Sequence, residues 1–212
     1  MGIYEKHVLP RLIGAACGTK PILKQREKVV PHCEGRVLEI GMGTGHNLEF
    51  YDPGKVDMVF GLEPAPDMVK RAKPLAEKVP FDVEFIDLPG EEIPLDDNSV
   101  DTVLLTYTLC TIPDTLKAMQ NMRRVLKPGG KLLFSEHGRA PDAAVEKWQN
   151  RLNGVWGKLF GGCNINRKIP TLIEEGGFNI TDLDEMYVPS TCLLYTSPSP
   201  RDLSTSRMPS SA

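Results

Sequence analysis

The residues best suited to chemistry gather around Gly41-Met42-Gly43-Thr44-Gly45, a glycine-rich turn after the apolar run Val37-Leu38-Glu39-Ile40. Glycines at alternate positions let backbone amides approach a ligand with no Cβ in the way, a device that several cofactors share. A dinucleotide fingerprint needs a third Gly or Ala three positions after the second glycine, and His46 stands there instead. Glu39, two residues before the turn, would repel a pyrophosphate but could hold the α-ammonium of a methionine moiety, directly or through water. Charge thus favours a zwitterionic sulfonium donor, S-adenosylmethionine. Glu63, at the end of a second apolar run, can accept hydrogen bonds from both ribose hydroxyls. Met68 is expected either against the adenine as a soft apolar wall or in the core. Leu88 to Glu91, with Gly90 among them, would flank the adenine edge, and Thr106 closes the fourth strand beside the donor.

On the acceptor side, His137 is the candidate base, because an imidazole titrates near neutrality, with a hydrogen-bonded structural role as its alternative. Tyr107 either orients donor or acceptor or packs at the top of the sheet. Cys110 and Cys163 read as small buried apolar residues rather than nucleophiles. Asn164, Asn166 and Arg167 bind a polar group or cap a lid. Trp148 and Trp156 fall near one helical face, as pocket lining or, by preference, as core. A thiol acceptor needs little help from a base, since its pKa is about 8.5.

These residues need a scaffold, and hydrophobic patterning supplies one. Strands are expected at Val37–Ile40, Met58–Leu62, Val83–Ile86, Asp101–Thr106, Lys131–Phe134 and Phe178–Val188. A helix opens at Asn47–Phe50. Another spans Pro66–Lys78, with Pro74 as a kink or early stop. A third, capped by Asp114, carries the stripe Leu116, Met119, Met122, Leu126 and is stopped by Lys127-Pro128-Gly129-Gly130. Helices over Pro141–Leu159 and Thr171–Glu175 follow, the latter ended by Gly176-Gly177. Strands alternating with helices imply an α/β, Rossmann-like fold with a mainly parallel sheet covered on both faces.

The chain has 212 residues, 41% hydrophobic and 25% charged, which suits one core. A net charge of −3 argues against a polyanion held by bulk electrostatics, so a small-molecule acceptor is expected and nucleic acid is not. Five scattered cysteines without a C-x-x-C pair suggest neither a disulfide framework nor a metal site, and fit a reducing cytoplasm. No run reaches the roughly 18 apolar residues of a membrane span, and oligomeric state is not legible. Residues 1–191 are expected to form a single domain, with 1–30 as N-terminal cover and 145–168 as a lid insertion. From Cys192 the composition shifts to Ser, Thr, Pro and Arg and resembles a translated sequencing-library adapter. Residues 192–212 are therefore expected to be a non-native tail after a native end at Thr191.

With V-L-E-I-G-M-G-T-G, G-L-E-P-A-P-D-M, E-E-I-P-L-D-D-N-S-V-D-T-V and R-R-V-L-K-P-G-G-K-L-L-F in order, residues 20–188 resemble the type 11 branch of class I S-adenosylmethionine-dependent methyltransferases. Within that branch T-L-C-T-I-P-D, E-H-G, W-Q-N-R-L-N-G-V-W and G-G-C-N-I-N-R are similar to the methyltransferase-like seven group, whose animal members resemble thiol S-methyltransferases of the endoplasmic reticulum and lipid droplets. This sequence departs from them in lacking their apolar N-terminal anchor. The resemblance implies a seven-stranded sheet with an antiparallel last strand, and a methyltransferase acting on a thiol or another apolar nucleophile such as a quinol. The tail puts the native seventh strand in the lost segment, although Leu193-Leu194-Tyr195-Thr196 has strand propensity of its own. A catalytically silent donor-binding protein and a nicotinamide oxidoreductase, which His46 disfavours, are the competing readings.

Overall fold

The computed structural model describes residues 8–188 and 195–199, with side-chain surroundings at 195 and 196 only in the last segment. The elements run α1 (Leu9–Cys17), α2 (Lys20–Val29), a 3₁₀ turn (Val30–His32), β1 (Gly35–Ile40), β2 (Val56–Leu62), α3 (Pro66–Ala76), β3 (Asp82–Ile86), β4 (Val100–Thr106), α4 (Thr115–Val125), β5 (Leu126–Gly138), α5 (Ala143–Leu159), α6 (Ile169–Glu175), β6 (Met186–Tyr187) and β7 (Tyr195–Ser199). They build one seven-stranded sheet in the order β3-β2-β1-β4-β5-β7-β6. The five strands β1 to β5 pair in parallel, while β7 runs antiparallel to β5 and β6 antiparallel to β7. This is the expected α/β Rossmann-like fold. Because β1 pairs with both β2 and β4, the chain reverses direction across the sheet there, and the crevice beyond the carboxyl ends of β1 and β4 is where such sheets take ligands.

Period-two alternation divides the strands between two cores. Leu38 and Ile40 of β1, Val103 and Leu105 of β4, and Leu132 and Phe134 of β5 face α4 and α6 in one cluster. Val37, Leu104 and Leu133 face the opposite way, among Val29, Val30, Met42 and Tyr51. The same alternation carries Glu39, Thr106, Ser135 and His137 to the second face, and Glu136 to the first.

Most expected elements are present, and the departures have local causes. Asn47–Phe50 is not helical: bonds from the amides of Gly45, Leu48 and Phe50 to carbonyls three residues back make a succession of tight turns, and the Asn47 side chain is drawn inward to buried partners. Phe178–Val188 is not a strand along its length, since only Met186–Tyr187 pairs. Phe178 is buried in the first core, with its amide bonded to the carbonyl of Ile173 at the end of α6. In α4 the buried residues are Ala118, Met119, Met122 and Val125, whereas Leu116 is 49% exposed. Asp114 caps that helix by accepting from the Lys117 amide at 3.0 Å, worth about 1 kcal/mol. The helix stops at Val125, one residue before the expected stop, and Lys127 to Gly130 falls within β5, with a register shift against β4 between Val100 and Thr102. Pro74 is accommodated inside α3, in its last turn. Trp148 is 55% exposed on α5, not in the core, while Trp156 stacks on Phe160 at 4.3 Å.

Tyr195–Ser199 forms the antiparallel strand next to β5, with the short β6 outside it at the sheet edge. The remaining parts of the expected tail and cover, residues 192–194, 200–212 and 1–7, lie outside the described residues, as does the expected end at Thr191. No helix among the described residues is long and apolar enough to cross a membrane.

Candidate functional site

Above the carboxyl ends of β1, β2 and β4 opens a cavity of ≈ 1070 Å³. Small-molecule pockets span roughly 300–1,000 Å³, so it has room for a nucleoside-sized donor and a small acceptor together. Its floor is the turn after β1. Gly41 and Gly43 sit at φ +68° and +60°, the left-handed region that favours glycine. A Cβ on Gly41 would fall 2.3 Å from Thr108 Oγ1, so the turn and the loop after β4 can meet only through a bare backbone. Gly45, at φ +82°, packs toward Leu48 and Ala72 and does not line the cavity. Its role is to seat the turn on α3.

Glu63 is the clasp of this floor. Its Oε2 accepts from the Gly43 amide at 2.9 Å and its Oε1 from the Ala65 amide at 3.0 Å, so one carboxylate joins the turns after β1 and β2. Burial pushes its pKa up, while the two amides pull the other way. It lines the cavity with Met68, Gly90, Glu91 and Thr106, so five of the expected donor residues meet Gly41 and Gly43 there. Glu91 also accepts from the Asp114 amide through Oε1 at 3.1 Å, which ties it to the start of α4.

Glu39 takes a different place from the one expected. It is buried beneath the cavity and is not part of its lining. Its oxygens accept from Asn47 Nδ2 at 2.8 Å and from the Tyr51 hydroxyl at 2.6 Å. Burial raises its pKa to about 7 against the pull of those bonds and of Arg26. Arg26, from α2, donates through Nη1 to Asn47 Oδ1 at 2.8 Å and to Thr106 Oγ1 at 2.6 Å, and Asn47 Nδ2 also reaches Thr106 Oγ1 at 2.9 Å. A buried chain Glu39–Asn47–Thr106–Arg26 thereby supports the floor and presents Arg26 at the wall. Arg26, Asn47 and Tyr51 were not singled out from the sequence. A helical arginine has no local signature of burial, and only the packing of α2 against the sheet brings it in.

The loop after β4 forms the opposite wall. Tyr107 has φ +57°, an uncommon conformation for a bulky residue and one often retained for function. Arg26 lies over its ring at 5.3 Å, and its hydroxyl accepts from Ser135 Oγ at 3.3 Å. Tyr107 lines the cavity as expected. His137 does not. Its ring lies behind Tyr107, centroids 6.1 Å apart, with Nε2 3.3 Å from Cys163 Sγ. This corrects its expected place as a base over the cavity: alternation along β5 sends it inward. Burial opposes its charged form, but the neighbouring Cys163 raises its pKa overall.

Glu136 is a further buried carboxylate, one that the sequence reading passed over. Wholly buried, its Oε1 accepts from the Thr108 amide at 2.7 Å and the Leu109 amide at 3.0 Å, fixing the loop after β4, and burial raises its pKa to about 7. The expected lid contributes Gly157, Lys158, Gly161 and Gly162 to the cavity, and α1 contributes Leu9, Pro10, Ile13, Gly14 and Cys17. Arg167 anchors the segment after α5 by donating through Nη1 to the carbonyls of Leu109 and Ile112. Asn164 Nδ2 donates to the Cys110 carbonyl at 3.1 Å, and Asn166 Nδ2 to Asn150 Oδ1 at 2.8 Å, so all three expected polar residues hold the lid in place.

Comparison with known proteins agrees with this architecture. Residues 38–134 match the family described as a methyltransferase domain. The chain is 38% identical over 156 residues to a thiol S-methyltransferase, TMT1B, of Rattus norvegicus, covering 71% of this chain and 63% of that protein. It is 34% identical over 157 residues to the thiol S-methyltransferase TMT1A of Homo sapiens, covering 72% and 64%. The chain thus spans just under two thirds of these relatives' length. In fold it is similar to a SAM-dependent methyltransferase of Leishmania major, with a TM-score of 0.68 at 18% identity over 92% of this chain and 78% of the other. The YcgJ protein of Bacillus subtilis superposes with a TM-score of 0.60 at 22% identity, over 85% and 71%.

Proposed function

Since the chain belongs to the methyltransferase-domain family, with S-adenosylmethionine as its donor, we propose that it transfers the donor's methyl group to a small apolar thiol. The observation that carries this reading is the cavity itself. A glycine turn clasped by Glu63 forms one end, and an apolar wall of Leu9, Ile13, Met68 and Ile112 faces the rest of the space.

The residues fit the donor. Bare backbone at Gly41 lets the floor meet Thr108 where a Cβ would clash, and among the cavity-lining residues Glu63 would accept from the ribose hydroxyls while Met68, Gly90 and Glu91 would flank the base. Glu39 acts from below, holding Asn47 and so Thr106. The donor supplies an electrophilic methyl on a positively charged sulfur. When bound, it would give that methyl to an acceptor sulfur, whose proton would leave to solvent. Tyr107 and Arg26 shape the wall over that step, and α1 with the segment after α5 excludes water. No residue lining the cavity is assigned as a base, because a thiol ionises readily enough near neutral pH. The thiol S-methyltransferase names of the relatives support the choice of acceptor. We further assign residues 8–188 to one catalytic domain with α5 and its following turn as lid, and place it in a reducing, cytoplasmic setting that suits its free cysteines.

Turnover of isotope-labelled S-adenosylmethionine against a panel of thiols, a quinol and amines tests the reading. Methylation of apolar thiols is expected, with Glu63→Gln raising the donor Kd at least about tenfold as one backbone amide loses its acceptor. Firm donor binding with no turnover across the panel would identify a silent donor-binding protein instead, and tight NAD binding without donor binding would overturn the reading altogether.

A further inference from the structure

Behind the cavity wall, three soft ligand atoms that methyl transfer leaves without a role converge from three separate parts of the chain. Cys110 follows β4, His137 is on β5, and Cys163 lies in the turn after α5. Cys163 Sγ is 3.5 Å from Cys110 Sγ and 3.3 Å from His137 Nε2, and all three atoms lie within 4.8 Å of one another. We propose that Cys110 Sγ, Cys163 Sγ and His137 Nε2 form a binding site for a soft divalent cation of the zinc class.

Geometry is the first support. Tetrahedral zinc has Zn–S of about 2.3 Å and Zn–N of about 2.0–2.1 Å, which sets S···S edges near 3.8 Å and S···N edges near 3.5 Å. The two closest separations fall within a few tenths of an ångström of those edges. A disulfide would instead draw the sulfurs together by about 1.5 Å, to about 2.05 Å, and would leave the imidazole pointing at them without purpose.

Preorganisation is the second. The two loops that carry the cysteines are bound to each other and to the sheet. The Cys110 carbonyl accepts from Asn164 N at 3.0 Å and from Asn164 Nδ2, Arg167 bonds the carbonyls of Leu109 and Ile112, and Glu136 holds the Thr108 and Leu109 amides. Trp156 Nε1 donates to Cys163 Sγ at 3.4 Å, the kind of outer hydrogen bond that stabilises a metal thiolate. Two sulfurs and an imidazole select zinc-like ions over magnesium or calcium, and two thiolates balance a divalent charge. Three protein ligands leave one vertex for water or an exogenous ligand, the arrangement of an open zinc site. This site does not depend on the proposed methyl transfer, and its test needs no donor.

The reduced, chelator-treated full chain, titrated anaerobically with cobalt(II), should take up one equivalent, show thiolate-to-cobalt charge-transfer absorption, and lose that signal when zinc is added. Cys110→Ser, Cys163→Ser and His137→Ala should each weaken cobalt binding by at least about tenfold, whereas Cys33→Ala, buried in the second core just before β1, should not. X-ray absorption on the zinc-loaded wild-type chain gives an answer that needs no variant: two sulfur scatterers at about 2.3 Å and one nitrogen at about 2.0 Å are expected. A shell of light atoms only, absence of the charge-transfer band, or unchanged binding in folded cysteine variants would overturn the proposal. So would a reduced chain that ignores cobalt but forms a Cys110–Cys163 disulfide under mild oxidation.

Discussion

Replacing Gly41 by alanine puts two separable stresses on the floor of the cavity. At φ +68° an L-residue pays about 1–2 kcal/mol for the left-handed conformation. The new methyl would also lie 2.3 Å from Thr108 Oγ1 and 2.4 Å from its Cγ2. Thr108 is poorly placed to yield, since its amide is bonded to the buried Glu136 at 2.7 Å, and overpacking of this kind costs about 1–3 kcal/mol. Together these make about 2–5 kcal/mol. Gly129→Ala isolates the first stress: its φ is +81° and nothing lies within 4 Å of the added carbon, so about 1–2 kcal/mol is expected there. Urea unfolding measures both variants. Adding Thr108→Ala to Gly41→Ala removes the two closest contacts and leaves Thr108 Cβ, at 2.9 Å, so the double mutant should recover about 1 kcal/mol or more relative to additivity. Calorimetric titration with S-adenosylmethionine, at a temperature where the variants are folded, should show the donor Kd of Gly41→Ala raised at least about tenfold. Equal destabilisation by Gly41→Ala and Gly129→Ala, with no coupling to Thr108, would refute the argument that close approach demands glycine here.

Two further outcomes concern Glu39 and Arg167. Glu39, raised to about 7 from its ordinary value of 4.5 chiefly by burial, binds its proton more tightly in the folded state. Its contribution to stability is therefore fully present below about pH 4.5 and is lost as pH rises through about 7, by up to about 3 kcal/mol. Glu39→Gln lacks that proton, so the stability of wild type minus variant should fall between pH 5 and pH 8; a difference that does not change with pH would rule this out. Arg167→Met leaves the Leu109 and Ile112 carbonyls without their charged donor and should cost about 2–3 kcal/mol, with faster proteolytic cleavage after α5. Cleavage rates equal to wild type would show that Arg167 does not hold the lid.

Where the sequence was legible, local physics had already decided the outcome. The strands at Val37–Ile40, Met58–Leu62 and Asp101–Thr106 are apolar runs bounded by turn residues, and Asp114 caps α4 as its position suggests. Gly41 and Gly43 line the cavity because the turn after β1 takes left-handed backbone at both, and Glu63 because the end of a second strand faces the same crevice. Asn47–Phe50 and Phe178–Val188 misled, since pattern alone cannot show that Asn47 turns inward to Glu39 or that Phe178 is drawn into the core.

The sequence by itself determined the α/β alternation, the glycine turn and the acidic residue that clasps it, because each follows from neighbours a few positions apart. Only the tertiary structure decided what faces what. Alternation along β1 and β5 put Glu39 under the floor and His137 behind Tyr107, and the packing of α2 brought Arg26 to Thr106 across 80 positions. Cys110 and Cys163, 53 positions apart, came within 3.5 Å of each other with no spacing motif to announce them. Side-chain direction in a sheet reverses with every residue, and long-range contacts are set by how whole elements pack, so neither is written in any local window of the chain.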